Sequence, residues 1–170
     1  MSKKLYFAYG SNMNLDQMSF RCPNAEVVGA VRVDDYRLTF CGNGGVCGVA
    51  TILPEPGSHV DGVLWRISVE EEKNLDFYEG YPRLYGKELI TVTNGNGQKT
   101  SVMAYTMNSP YKESPAPPAP HYLEGIVEGC CQNDIEPLPI LKEAKRLEKE
   151  YEKRMFRLKK QKRQVRREDR

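Results

Sequence analysis

The first apolar run of the chain leads directly into a short polar loop. Residues 5–8 are continuously apolar, which is typical of a strand buried on both faces. The loop that follows contains Tyr9, Gly10, Ser11 and Asn12. Gly10 permits a tight bend, or the close approach of a ligand, because it has no side chain. We therefore predict a buried strand that ends in an exposed polar loop.

A short helix is predicted immediately after this loop. Asn14, with Gln17 three residues later, fits a capping box, and Cys22 followed by Pro23 would end the helix that starts at Leu15. A strand, a glycine turn and a helix start expose free backbone N–H groups. Such groups can hold a carboxylate or stabilise a developing oxyanion.

The middle of the chain alternates apolar and polar residues in several segments, and this alternation predicts strands. The predicted strands span residues 27–40 (one long or two short strands), 48–53, 60–67, 85–93 and 99–107. Three breaks separate them: a glycine-rich turn at 42–45, a proline stop at 54–57 and a hairpin turn at 94–97. With the first strand this makes six or seven short strands, and Gly62 inside one of them indicates a bulge or a close contact.

A second helix is predicted to end at a carboxyl group. Ser68 and Glu71 form a capping box, and Gly80 suits the left-handed position just past a helix terminus. Glu79 would then lie at the helix C-terminus, where the helix dipole disfavours a negative charge and burial would raise its pKa toward neutrality. Tyrosines surround it at positions 78, 81 and 85. Glu79 is therefore a candidate general base.

The last third of the chain is proline-rich and then helical. Residues 109–120 contain five prolines and predict a stiff wall or lid before a short helix at 121–131. From Ile140 onward, apolar residues recur at three- or four-residue steps and predict one long helix. Its first half would pack on the body or on a second subunit, whereas residues 158–170 would be solvated and frayed.

Charge divides the chain into two parts. Of its 170 residues 39% are hydrophobic and 28% charged, enough for one core, and the net charge is +2. Residues 142–170 contain 14 basic and 6 acidic residues, a net charge of +8, which leaves a net charge of −6 for residues 1–141. We predict an acidic globular domain at 1–141 and a basic helical extension at 142–170.

The motifs together resemble one known family. An apolar strand followed by Tyr9-Gly10-Ser11-Asn12, then Glu79-Gly80 after a helix, resembles the γ-glutamylcyclotransferase-like (AIG2-like) family over residues 5–141. The resemblance implies an α+β fold, a small mixed β-barrel flanked by short helices, and this agrees with the count of short strands. The long basic C-terminal helix lies outside the resemblance.

The same resemblance implies an activity and a site. A γ-glutamyl amide would be cyclised to 5-oxoproline with release of the amine, with Glu79 as general acid and base. The loop from Tyr9 to Asn12 would bind the substrate through its backbone donors. Three tyrosines would line the pocket and orient the glutamyl group: Tyr85, Tyr105 and Tyr122. The resemblance implies no metal or cofactor, and it leaves open whether the released amine is an amino acid, an ε-lysyl isopeptide, a polyamine or a secondary metabolite.

The sequence is also compatible with two other functions. The protein could be a non-catalytic relative that binds a small molecule, or a nucleic-acid-associated protein acting through its basic helix. For Tyr105, packing in the sheet and facing the pocket are equally compatible with the sequence. A homodimer through the C-terminal helix would cover its apolar stripe. The sequence has no apolar segment long enough to span a membrane and no signal-peptide core, so we expect a cytoplasmic protein.

Overall fold

The computed structural model describes residues 2–42 and 47–168 of the chain. Within them it has these strands and helices: β1 (Lys4–Ala8), α1 (Leu15–Arg21), β2 (Glu26–Cys41), β3 (Val49–Ile67), α2 (Val69–Glu79), β4 (Tyr85–Asn94), β5 (Lys99–Met107), α3 (Pro120–Gln132) and α4 (Leu138–Glu168). A 3-10 turn at Ser11–Met13 lies between β1 and α1. The predicted glycine-rich turn at 42–45 lies, from residue 43 onward, outside the described residues.

The strands close into a mixed β-barrel. Their order around the barrel is β1-β3-β2-β4-β5, and β5 returns to β1. The closing pair is parallel and joins Tyr6 to Met103, whereas the other neighbours are antiparallel. A closed barrel leaves no unpaired sheet edge. The fold predicted from the family resemblance, a small mixed barrel with short helices and a long C-terminal helix, is confirmed.

The number of strands was predicted wrongly. Residues 48–53 and 60–67 belong to one strand, β3, which continues through the prolines at 54 and 56. Its antiparallel partner β2 has register shifts between Val27 and Gly29 and between Asp34 and Tyr36, and Tyr36 pairs with Pro54. Between this pair and the pair Asp34–His59, four residues of β3 (55–58) stand against Asp35 alone, so the bulge lies in β3 itself. Proline cannot donate to a ladder, but a bulge is a position where it can stay in a strand. The predicted stop is therefore an irregular part of a long hairpin.

The barrel interior is closely packed around one glycine of β3. A Cβ on Gly62 would lie 2.5 Å from a ring carbon of Phe7 and 2.4 Å from the carbonyl oxygen of Ala8. The close approach predicted at Gly62 is confirmed, since any larger residue would push β1 away from β3. Phe7 and Phe40 are fully buried in this core.

The predicted helix starts and stops are confirmed for α1, α2 and α3. The Asn14 side chain accepts hydrogen bonds from the backbone N–H groups of Asp16 and Gln17. Ser68 and Glu71 form both bonds of a capping box at the start of α2. α3 begins with Pro120 in its first turn.

The proline-rich segment before α3 is a wall held against the barrel. The backbone N–H of Gly48 donates to the carbonyl of Pro117 at 2.9 Å, and that of Gly42 donates to Ser114 at 2.9 Å. These bonds tie the segment to both strands of the β2–β3 hairpin and place α3 over one end of the barrel.

The long helix α4 packs on the barrel only through its first half. Ile140, Ala144 and Leu147 are buried, and Glu143 accepts a hydrogen bond from Thr39 of β2 at 2.7 Å. The fraying predicted for residues 158–170 is wrong for the backbone as far as it is described, since it is helical to residue 168, whereas the side chains of residues 158–167 are exposed as predicted. None of the helices in residues 2–42 and 47–168 is long and apolar enough to cross a membrane. The division at residues 141 and 142 stays a prediction, because α4 continues across it.

Candidate active site

Glu79 lies at the end of α2, where the sequence predicts it. Gly80 ends the helix in the left-handed conformation with φ 64°, so the chain turns away just after Glu79. The carboxyl group is half-buried, and this burial raises the pKa of Glu79 to about 7, while the cationic Arg21 and a hydrogen bond from Asn12 oppose the rise. A carboxyl group with this pKa can both accept and donate a proton near neutral pH.

The loop after β1 faces Glu79 and has a tight bend at Gly10. A Cβ on Gly10 would lie 3.1 Å from the Cβ of Ala50, so a larger residue would crowd the barrel wall. The first internal bond of the 3-10 turn runs from Met13 N to Gly10 O at 3.0 Å. The backbone N–H groups of Ser11 and Asn12 come before Met13 and so have no acceptor within the turn, as at any helix start.

Asn12 connects the loop to Glu79. Its Nδ2 donates to Glu79 Oε1 at 2.9 Å and to the Tyr6 hydroxyl at 3.0 Å. Its backbone carbonyl accepts a hydrogen bond from Trp65 Nε1 at 3.0 Å. The prediction that this loop is exposed is wrong, since Tyr9 and Asn12 are buried. These bonds hold Asn12 firmly, because an unpaired buried amide would be costly.

Tyr85 and Tyr122 also line the pocket, and their hydroxyl groups meet at one backbone residue. The Tyr85 hydroxyl donates to the carbonyl of Ala50 at 2.5 Å, and the backbone N–H of Ala50 donates to the Tyr122 hydroxyl oxygen at 2.9 Å. The Tyr122 oxygen is therefore an acceptor in this pair, and its own proton can still be donated. Burial raises the pKa of both phenols, so they stay neutral at physiological pH.

Tyr105 lines the pocket from β5, and its hydroxyl group bonds away from Glu79. It donates to Asp76 Oδ1 at 2.5 Å, while Lys87 forms an ion pair with the same carboxylate at 2.8 Å. The Tyr9 hydroxyl donates to the carbonyl of Tyr105 at 2.5 Å. Of the two readings of Tyr105 that the sequence leaves open, the structure favours a pocket wall whose hydroxyl is fixed by the protein.

All eight residues that we singled out in the sequence line one small cavity. They share it with Tyr6 and Ala50, and its full lining is Tyr6, Tyr9, Gly10, Ser11, Asn12, Ala50, Glu79, Tyr85, Tyr105 and Tyr122. The enclosed volume is about 30 Å³, room for about two water molecules. The catalytic and binding roles of these residues stay predictions, whereas their proximity is a property of the fold.

Four residues of this site were missed in the sequence. The sequence indicates Tyr6 only as an apolar strand residue. Ala50 contributes through its backbone, which no sequence pattern reveals. Asp76 had a usable signal, because it lies three residues before Glu79 on the same helix. Arg21 had none, since a cation in the last turn of a helix is ordinary.

A larger groove elsewhere contains none of the predicted site residues. It measures about 880 Å³ and lies between the β2–β3 hairpin and α4, with Arg37, His59 and Glu143 in its walls. Within residues 2–42 and 47–168, no three His, Cys, Asp or Glu side chains are placed so that they could hold a metal ion.

Comparison with known proteins identifies the family. The family model described as gamma-glutamyl cyclotransferase, AIG2-like, matches residues 6–125. Two proteins named gamma-glutamylcyclotransferase are each 32% identical to this chain: a human one over 151 residues (85% of this chain, 78% of the relative) and a bovine one over 138 residues (77% and 72%). A solved structure titled gamma-glutamyl cyclotransferase has a TM-score of 0.73 and 29% identity, covering 86% of this chain and 87% of that one.

The chain belongs to the gamma-glutamyl cyclotransferase, AIG2-like family, which is a family of enzymes. The resemblance noted from the Tyr9–Asn12 loop and from Glu79 is thereby confirmed at the level of the family. The substrate and the roles of the individual residues belong to the proposal that follows.

Proposed function

We propose that this protein cyclises a γ-glutamyl amide to 5-oxoproline and releases the amine, with Glu79 as general base and then general acid. The observation that carries the proposal is the half-buried Glu79 carboxyl group, with a pKa of about 7, which lines the same cavity as the loop after β1 and accepts a hydrogen bond from Asn12 of that loop. The names of the human and bovine relatives support the same reaction class.

In the proposed reaction Glu79 moves one proton between two nitrogens. The substrate's α-amine attacks its own γ-carbonyl carbon, and Glu79 accepts the proton that this nitrogen loses. A C–N bond forms, and the former carbonyl oxygen becomes negatively charged. Glu79 then gives the proton to the leaving nitrogen, the old amide bond breaks, and the carbonyl reforms.

The arrangement of Glu79 suits this exchange. Oε1 is occupied by the Asn12 amide, and among the hydrogen bonds of the described residues none ends on Oε2. Oε2 is therefore the oxygen that we assign to the moving proton. Since the nucleophile belongs to the substrate itself, holding the chain folded back replaces a bimolecular encounter and supplies a large effective molarity.

The loop is the proposed site of the developing oxyanion. The backbone N–H groups of Ser11 and Asn12 precede the first bond of the 3-10 turn, and both residues line the cavity. Preorganised N–H donors stabilise a charge that exists only in the transition state. The Tyr122 hydroxyl, which lies next to Gly10 of the loop, can also donate to the substrate, whereas Tyr85 and Tyr105 shape the pocket.

The test is 5-oxoproline release from γ-glutamyl amino acids, γ-glutamyl-ε-lysine and γ-glutamyl polyamines. We expect the unaltered protein to turn over at least one of these compounds and Glu79→Gln to lower the rate by ~10²–10⁴. Glu70→Gln is the matched control, because Glu70 is an exposed acid on the same helix that pairs only with Lys73 among the ion pairs of residues 2–42 and 47–168. An active Glu79→Gln variant, or no reaction with any γ-glutamyl compound, would refute the proposal.

A further inference from the structure

Arg21 reaches the candidate active site from α1, although it does not line the cavity. It is the last residue of that helix, and its side chain turns back toward the loop that precedes the helix. Its Nη1 donates to Asn12 Oδ1 at 2.6 Å and to Ser11 Oγ at 3.1 Å. One guanidinium group therefore holds two consecutive residues of the loop.

The position of Arg21 is fixed from α2 as well. Its guanidinium carbon lies 4.9 Å from the centre of the Tyr78 ring, and its backbone carbonyl accepts a hydrogen bond from Asn74 Nδ2 at 3.2 Å. A cation over an aromatic face is attracted by the ring's negative face. Because Tyr78 directly precedes Glu79, the same contact joins α1 to the segment that carries the carboxyl group.

The chemistry of the guanidinium group decides which way the Asn12 amide faces. Arginine can only donate hydrogen bonds, so the Asn12 atom that contacts it must be the carbonyl oxygen Oδ1. The amide nitrogen of Asn12 must then face the other way, toward Glu79 Oε1 and the Tyr6 hydroxyl. Without Arg21 the amide could turn over and present its oxygen to the carboxylate, which would repel it.

We propose that Arg21 is a positioning residue of this site: it fixes the orientation of the Asn12 amide, and through that amide it holds the Glu79 carboxyl group in place and favours its ionised form. The inference rests on the proposed role of Glu79. Arg21 itself touches no reacting atom in this arrangement.

The other groups that face Glu79 do not supply this charge. The neighbouring phenols come from β1 and its loop, from β4, from β5 and from α3: Tyr6, Tyr9, Tyr85, Tyr105 and Tyr122. Burial raises the pKa of each of them, so they are neutral where Glu79 titrates. On the far side of Tyr105, Asp76 and Glu72 both pair with Lys87, and Glu72 also pairs with Lys4, so the two negative and two positive charges of this cluster balance. The positive charge of Arg21 therefore acts on Glu79 without a competing cation from these elements.

Three variants distinguish the effect of the Arg21 charge from the effect of its hydrogen-bond geometry. Arg21→Met keeps an apolar stem and removes both charge and donors, whereas Arg21→Lys keeps the charge and loses the planar fork. Arg32→Met is the control for the loss of one positive charge, since Arg32 pairs with Asp61 on the outside of the barrel. Each is compared with the unaltered protein in the pH profile of kcat/KM and in an NMR titration of the Glu79 carboxyl group, whose signal is assigned by its absence in Glu79→Gln.

We expect Arg21→Met to move the acidic limb of the kcat/KM profile, and the Glu79 titration, upward by roughly one pH unit or more. Activity at pH 7 should then fall by about fivefold or more and partly recover near pH 9. Arg21→Lys should shift the profile less while still lowering kcat, because a lysine cannot hold both Ser11 and Asn12 in the same way. Arg32→Met should leave both profiles unchanged.

Three results would overturn the inference: an unchanged Glu79 titration in Arg21→Met, an equal loss of activity at every pH, or the same shift in Arg32→Met. Melting curves identify a variant that has simply unfolded. If Arg21→Met is unfolded, the comparison of Arg21→Lys with the unaltered protein tests the inference instead. The NMR titration needs no turnover. A shifted titration together with no 5-oxoproline release would therefore support the role of Arg21 while refuting the proposed reaction.

Discussion

At the scale of single residues, the Glu79 carboxyl group lowers the stability of the fold at high pH. An acid whose pKa is raised in the folded state binds its proton more tightly there than in the unfolded chain. Stability is therefore greatest below the ordinary pKa of 4.5 and decreases as the pH rises through about 7. Ionising this half-buried group, with fewer water molecules around it than a fully solvated acid has, costs free energy.

We predict that Glu79→Gln raises the free energy of unfolding at pH 8 by up to about 3 kcal/mol and has little effect at pH 4. Glutamine has the same shape and can still accept the Asn12 hydrogen bond, but it carries no charge to be desolvated. Urea denaturation of both proteins at the two pH values measures the difference. Equal effects at pH 4 and pH 8 would show that the burial of charge is not the cause.

At the scale of secondary-structure elements, the way in which α2 ends determines the position of the Glu79 carboxyl group. Gly80 has φ 64° and Gly97, in the hairpin between β4 and β5, has φ 77°. Both conformations are strained for any residue with a side chain. The two glycines thus share a backbone requirement, but only Gly80 adjoins the candidate active site.

We predict that Gly80→Ala and Gly97→Ala each lower the free energy of unfolding by about 1–2 kcal/mol. Only Gly80→Ala should also reduce kcat, because relief of the strain would rotate the end of α2 and move the carboxyl group. Thermal denaturation and steady-state kinetics of the pair provide the test. A similar loss of kcat in both variants would mean that the effect is global.

Elements with local signals could be predicted from the sequence, and those fixed by tertiary contacts could not. The capping box at Ser68, the N-cap at Asn14 and the left-handed Gly80 each depend on a few neighbouring residues, and they appear as predicted, although Asn14 forms only the N-cap half of its predicted box. The strand break at residues 54–57 was wrong, because β3 is continuous and Pro54 pairs with Tyr36 of β2, although residues 55–58 have no partner in that ladder.

The candidate site follows the same division. Glu79 and the loop after β1 carry local motifs, and the structure places them together. The bond from Arg21 to Asn12 depends on where α1 ends in space, and the ladder of β4 and β5 brings Tyr105 to Asp76 of α2. Tyr105 and Asp76 are far apart in the sequence, and the contact between Arg21 and Asn12 depends on the direction in which α1 ends. The periodicity of the sequence predicts neither contact.

At the scale of the whole molecule, α4 is partly core and partly solvent-exposed. Leu147 is 2% exposed and is the last fully buried residue of the helix within the described chain, whereas Phe156 is 70% exposed. Most of the basic residues of α4 lie in this exposed second half. The stability of the barrel should therefore depend on the first turns of α4 and not on its end.

We predict that deletion of residues 159–170 leaves the melting temperature and the activity unchanged. By contrast, Leu147→Ala should lower the free energy of unfolding by about 2–4 kcal/mol, because it removes buried methyl groups and leaves a cavity. Leu158→Ala is the matched control, since the same substitution there affects a side chain that is 43% exposed. A destabilised deletion variant would show that the end of the helix packs on something after all.

The chain contains one tryptophan, and its indole nitrogen donates to the backbone carbonyl of Asn12 at 3.0 Å. The indole is also shielded from solvent, with 3% of its surface exposed. When the protein is excited at the red edge of the absorption band, where its ten tyrosines do not absorb, all of the emission comes from one indole that is hydrogen-bonded to the loop facing Glu79. Occupation of the cavity should alter its emission, so that unlabelled compounds, including ones that never react, can be ranked by a simple optical titration.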